Sequence, residues 1–179
     1  MNLSNHVVES ISKILGYQIK NKALLKIALT RKSAIAEKCY LAADISYQRL
    51  EFIGDSILNL IITKLIYLNF LNSDINEMSD IRKEIISNKT LGALALKLDL
   101  GKYLIIGNSE EVGDIRTHSK ALADLMESLI GMIYFDCGQN FEETQKIVFL
   151  LFEDTIKKAF QNRRSFVYYS EKNWCYIYN

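Results

Sequence analysis

The sequence has no proline and only 8 glycines in 179 residues. Without proline, no helix is forced to break, so long helices are open to this chain. Three cysteines, Cys39, Cys137 and Cys175, stand far apart. An odd, widely spaced set argues against a disulfide framework and a zinc site. It agrees with a reducing, intracellular setting, whether cytoplasmic or nuclear. The two histidines are His6 and His118, and neither follows a glutamate by three residues. That speaks against a di-iron carboxylate bundle, which normally uses Glu-x-x-His pairs. No spacing supports a serine or cysteine nucleophile with a histidine base. No stretch reaches the roughly 18 consecutive apolar residues of a membrane span. The richest run, Phe52 to Phe70, is interrupted by Asp55, Asn59, Lys64 and Asn69. The opening MNLSNHVVESISK has neither a long apolar core nor a cleavage-site pattern, so no secretory signal is expected. Neither sign of charge dominates, since 22 basic and 21 acidic residues leave +1. That is less basic than is usual for a nucleic-acid protein.

What the chain does have is apolar residues, 49% of the total, enough for the core of one domain. They recur at helical rather than strand spacing. Val7, Val8, Ile11, Ile14 and Leu15 predict a first amphipathic helix closed by Gly16. Asn21 is a candidate N-cap for a second, with Leu24, Leu25, Ile27, Ala28 and Leu29 inward. Residues 31–46 read as a loop or irregular helix. Tyr47 to Phe70 predicts a long apolar helix, and Asn72, Ser73, Asp74 and Asn76 a turn. Ile81 to Leu98 predicts one further helix, Gly101 to Thr117 a loop, and Ser119 to Phe135 a strongly apolar helix stopped near Gly138. Phe141 to Phe160 predicts the last. Residues 1–160 thus make one domain, and 161–179 a basic, aromatic tail. Arg163, Arg164 and Lys172 there interleave with Phe166, Tyr168, Tyr169, Trp174, Tyr176 and Tyr178. Such a tail can bind nucleic acid by charge and stacking, or cover the helical body.

Two segments carry acids where acids are costly. In Arg49-Leu-Glu-Phe-Ile-Gly-Asp-Ser-Ile-Leu58, Glu51 and Asp55 are four apart and share one helical face. In Ala121-Leu-Ala-Asp-Leu-Met-Glu-Ser-Leu-Ile130, Asp124 and Glu127 are three apart and do the same. Both segments are otherwise apolar. An unpaired buried charge costs several kcal/mol or more, about, and the nearby cations Arg49, Lys64 and Lys120 are few. If the two helices pack these faces together, four carboxylates converge, and a hard divalent cation such as magnesium relieves their repulsion. Gly54 and Gly131 would permit the close approach this needs. The competing reading is two ordinary solvated stripes, and spacing does not choose between them.

Arg49-Leu-Glu-Phe-Ile-Gly-Asp-Ser-Ile-Leu58 resembles the signature stretch of ribonuclease III domains. Lys120-Ala-Leu-Ala-Asp-Leu-Met-Glu-Ser-Leu-Ile-Gly131 resembles that family's second acidic motif, with Tyr134-Phe-Asp-Cys-Gly138 as its usual continuation. Weaker matches at Leu15-Gly-Tyr17, Leu24-Leu25, Ala28-Leu-Thr30, Ile81-Arg82, Ser87-Asn88 and Leu91 extend the likeness to about residues 7–158. The Glu127-Ser128 wording is similar to Dicer-type domains. Thr30-Arg31-Lys32-Ser33 departs from the usual Thr-His-x-Ser, which bears on packing or RNA contact rather than chemistry. A double-stranded-RNA-binding domain is missing, so the chain is expected to be a minimal member or a fragment.

The resemblance implies an all-helical domain that forms a homodimer and cuts double-stranded RNA. Glu51, Asp55, Asp124 and Glu127 fall on the family's metal-binding acids, with magnesium, or manganese as a substitute. Asp55 and Glu127 are the first choices for direct ligands, and Glu51 and Asp124 bind directly or through water. Lys120 falls on a position that can assist near the scissile phosphate, and Asn88 near a polar position close to the site. Products would carry 5′ phosphates and short 3′ overhangs. RNA would be read by shape across the minor groove, with Arg31, Lys32, Arg82, Lys83, Lys89, Arg116, Arg163 and Arg164 as candidate contacts. An accessory RNA-binding protein is a further possible partner, and no membrane is involved. Both Asp55→Asn and Glu127→Gln are expected to abolish magnesium-dependent cutting and leave the fold intact. The alternative is a non-catalytic RNA-binding or dimerisation module of the same fold.

Overall fold

The computed structural model describes residues 3–38, 47–111, 113–161 and 163, and these residues are predominantly helical. Helices α1 (Asn5–Leu15) and α2 (Lys22–Leu29) open the chain. Each is capped as its sequence predicts. Gly16 takes the left-handed conformation (φ 62°) that closes α1, and the Asn21 side chain accepts the Leu24 N–H to start α2. After α3 (Lys32–Lys38) comes α4 (Tyr47–Asn69), which buries Leu50, Ile57, Leu58, Ile61, Ile62, Leu65 and Ile66. Of the irregular stretch expected over 31–46, residues 32–38 are thus helical, and 39–46 lie outside the described residues.

The single helix expected over Ile81–Leu98 is in fact two, α5 (Ile75–Ile86) and α6 (Asn88–Lys97). Two side chains explain the difference. Asp74, read as part of a turn, accepts the N–H groups of Asn76 and Glu77 at 2.8 Å and starts α5 six residues early. Ser87 leaves the helical region (φ −64°, ψ 150° or so), ends α5, and with its hydroxyl accepts the Thr90 N–H that starts α6. Next come a 3₁₀ turn (Leu100–Tyr103) and the short α7 (Asn108–Glu111), so the expected 101–117 loop carries two turns of helix.

Helices α8 (Ser119–Asp136) and α9 (Phe141–Gln161) complete the described fold. α8 is the central element and is buried from Ala121 to Met126 and from Ser128 to Ile133. It packs along α4 and α6, with α2 across its middle. Even its one serine there is satisfied, because the Ser128 hydroxyl donates to the Ala28 carbonyl at 3.2 Å. Gly54 and Gly131 set the α4–α8 spacing. A Cβ on Gly54 would strike the Glu127 carbonyl, and one on Gly131 the Leu50 carbonyl. Both contacts are with backbone, which cannot step aside. The apposition expected of these two glycines is therefore present. No helix among the described residues is long and apolar enough to cross a membrane. The proposed tail lies outside them except for Gln161 and Arg163.

Candidate metal centre

The close α4–α8 contact turns the two acidic faces toward each other. One carboxylate oxygen each from Glu51, Asp124 and Glu127 lies within 4.8 Å of the others. Asp124 is 9% exposed, and Glu51 and Glu127 are half-buried. Asp55, one turn along α4 from Glu51, is exposed and stands outside that triple. Its carboxylate accepts the Asn59 side-chain amide at 2.7 Å. It is still near enough to act on the others electrostatically. Burial, then the charges of Asp55, Glu51 and Asp124, push the Glu127 carboxyl from 4.5 up to about 7. Burial and Asp124 likewise raise Glu51, while Lys120 and Arg31 pull it back. Lys120 makes an ion pair with Asp124 at 3.0 Å, from a side chain 63% exposed. The hydrogen bond to Asp124 raises the Lys120 pKa.

These residues fit a divalent cation. The donors are all hard oxygens, and burial, reinforced by their mutual repulsion, raises the Glu127 carboxyl to about 7. Ligand oxygens on opposite sides of a magnesium ion are about 4.2 Å apart, twice the metal–oxygen distance. Separations within 4.8 Å need little side-chain movement to reach that. Lys120 neutralises one carboxylate and leaves the rest in excess.

The cations named as RNA contacts divide into two groups. Arg31 is turned inward as a forked partner of Glu110, at 3.0 Å from both Nε and Nη2. Arg116 donates to the carbonyls of Gly101, Lys102 and Leu104 and staples the 3₁₀ turn. Both serve the fold, because carbonyls and a half-buried carboxylate inside the chain hold them. Arg82 donates to the Thr63 hydroxyl, Lys83 pairs with Asp80, and Arg163 with Glu84. Lys32 and Lys89 are exposed, and Arg164 lies outside the described residues. Asn88 is exposed, and its carbonyl accepts the Ser119 hydroxyl at the start of α8.

The sequence model of the ribonuclease III domain matches residues 48–138, a span that contains all four acids. The chain belongs to the ribonuclease III domain family. Ribonuclease 3 of Rickettsia akari is 36% identical over 149 residues, which cover 83% of this chain and 64% of that protein. Ribonuclease 3 of Buchnera aphidicola is 37% identical over 156 residues, 86% of this chain and 64% of that protein. The chain therefore spans slightly less than two thirds of these curated relatives. The solved nuclease domain of ribonuclease III from Campylobacter jejuni superposes with a TM-score of 0.73 at 28% identity, over 84% of this chain and 99% of that one. Dicer from Pichia stipitis shares the fold, with a TM-score of 0.59 at 24% identity over 85% of this chain and 62% of that one.

Within this ribonuclease III domain, one supporting acid escaped the sequence reading. Asp136, at the end of α8, accepts the N–H groups of Lys20 and Asn21 at 2.8 and 2.7 Å and the Tyr17 hydroxyl at 3.0 Å. It ties the start of α2 to α8. The signal in the sequence was an acid at the end of an apolar helix, where Asp124 and Glu127 are acids within it.

Proposed function

We propose that the chain is an endoribonuclease that hydrolyses double-stranded RNA with divalent-metal assistance, leaving 5′-phosphate products with short 3′ overhangs. The observation that carries this reading is the convergence of Glu51, Asp124 and Glu127 oxygens within 4.8 Å on two helices of this family. Glu51, Asp124 and Glu127 would hold the cation, magnesium or manganese, with Asp55 completing the set from the solvent side. When bound, such an ion supplies positive charge to the phosphodiester in its transition state and acidifies an attacking water.

The chain's own groups supply the rest. The packed faces of α4 and α8 keep Glu51, Asp124 and Glu127 in place, so little reorganisation is left for the reaction step. Lys120 sits on an exposed stem one turn before Asp124 and can swing from that carboxylate to a backbone phosphate. Lys32, Lys89 and Arg49 are exposed cations available to a duplex read by its shape.

We also propose that two copies pair through the outer face of α4. Phe52 (76% exposed), Leu60 (56%) and Tyr67 (63%) are bare apolar side chains on α4, and Leu71 (72%) and Ile75 (70%) follow just beyond its end. Exposed apolar side chains gathered along one element mark a candidate interaction surface. Pairing of copies is supported by the Campylobacter jejuni nuclease domain, which has a region involved in dimer formation. Two sites so paired would cut both strands of one duplex.

The test is a gel of a long RNA duplex incubated with the full chain, with magnesium and with chelator. Short duplex products in magnesium alone are expected. Intact RNA in both lanes, or equal cutting of single strands, would refute the proposal.

A further inference from the structure

The departure at Thr30-Arg31-Lys32-Ser33 has a structural counterpart beside the metal centre. Residues 29–37 and 104–111 are zipped together from end to end. Arg31 N–H donates to the Ile105 carbonyl at 2.9 Å, and Ile105 N–H donates to the Leu29 carbonyl at 2.8 Å. Farther along, Ser33 accepts the Gly107 N–H, and Glu37 accepts the N–H groups of Asn108 and Ser109. Arg31 is the centre of this zipper. Its guanidinium forks onto Glu110, which also accepts the Ser33 hydroxyl at 2.5 Å. The side chains of this ion pair are 17% and 24% exposed, so it is no loose surface contact. The guanidinium also lies 5.9 Å from the centre of the Tyr47 ring.

Tyr47 connects this cluster to the acids. It is the first residue of α4, one turn before Glu51, and is 3% exposed. Its hydroxyl makes a long hydrogen bond of 3.5 Å to the Ala121 carbonyl, in the first turn of α8 and three residues before Asp124. Through Tyr47, Arg31 thus reaches the starts of both helices that carry the carboxylates, while Glu110 of α7 holds its guanidinium in place.

We infer that Arg31 is a positioning residue of the metal centre, fixing the first turn of α8 against α4 and thereby the separation of Glu51 from Asp124 and Glu127. This rests on the metal-centre reading above and deepens it. A planar fork is needed, because a bidentate partner and a stacked ring demand both the shape and the charge of guanidinium. The opposite expectation follows if Arg31 acts merely as a nearby charge. A cation beside a cation site weakens it, so removing Arg31 would then tighten metal binding.

Calorimetric titration of Mn²⁺ into the full chain separates the two. The variants are Arg31→Met, Arg31→Lys and the double variant Arg31→Met/Glu110→Met, each checked by circular dichroism at the titration temperature. Arg31→Met is expected to weaken Mn²⁺ binding about tenfold, as loss of an outer-shell partner does. Arg31→Lys, which keeps the charge and is the variant to rely on if Arg31→Met does not fold, is expected to fall between. The double variant is expected to stay weak, since it removes the stranded carboxylate but restores no clamp. Unchanged or tighter binding in Arg31→Lys or Arg31→Met would overturn the role of Arg31. So would recovery of wild-type affinity in the double variant. A wild-type chain that takes up no Mn²⁺ would overturn the metal-centre reading and this inference together, whereas a wild type that binds beside unchanged variants overturns the inference alone.

Discussion

The two acidic pairs look alike in the sequence and live in different surroundings. Asp124 and Glu127 stand on a helix buried on nearly every side, and Glu127 is raised to about pH 7. Glu51 and Asp55 stand on α4, whose other face is open, and Asp55 is exposed with Asn59 as its partner. Within the α8 pair Glu127 carries the large upward shift, from burial first and its neighbours' charges second, and Asp124 lies deepest in the proposed site. The α4 pair is split, with Glu51 inside the cluster and Asp55 at its solvent edge, where a substrate phosphate would approach.

Substitutions should follow that ranking. Glu127→Gln is expected to abolish magnesium-dependent cutting, with a loss beyond the roughly 100-fold seen for outer-shell partners, measured as single-turnover rates on a long duplex. Gly54→Ala should break the arrangement itself. Its new Cβ meets the Glu127 carbonyl, and about 3 kcal/mol of stability, the upper end for overpacking, should be lost in a denaturant melt. Asp55→Asn should also stop cutting, but its effect on Mn²⁺ affinity should be about tenfold smaller than that of Glu127→Gln, taking one outer-shell step as the scale. Equal losses of affinity would erase the distinction between the pairs.

The acidic pairs were legible because helical spacing is local. Three or four residues apart on an apolar helix is visible without a fold, and so was the role of Gly54 and Gly131. The split at Ser87 was less so, since Asp74 read as a turn residue and Ser87 lay within a single expected helix until their side-chain oxygens are seen capping helices. The inward turn of Arg31 and Arg116 was not legible at all. Their acceptors lie 79 residues away for Glu110 and across a loop for the Gly101 and Leu104 carbonyls, and nothing local tells a structural guanidinium from a free one. Asp55 was ranked as a first-choice ligand, and the sequence could not show that it faces water.

Smaller effects sharpen the same contrast. The Glu127 carboxyl is raised in the fold, so the metal-free native state binds more protons than the unfolded chain between about pH 4.5 and 7. Its contribution to stability is present below that window and lost as pH rises through it. Metal-free melts should show this decline, and Glu127→Gln should flatten it. Lys120→Met should cost about 0.5 kcal/mol or less, as for an exposed i, i+4 pair, checked in the same melts.

Anomalous diffraction from crystals of the chain soaked in Mn²⁺ tests the central claim most directly. A peak bounded by Glu51, Asp124 and Glu127 is the result expected. A map with manganese bound elsewhere, or with these carboxylates turned apart and paired to lysine or arginine, would contradict it.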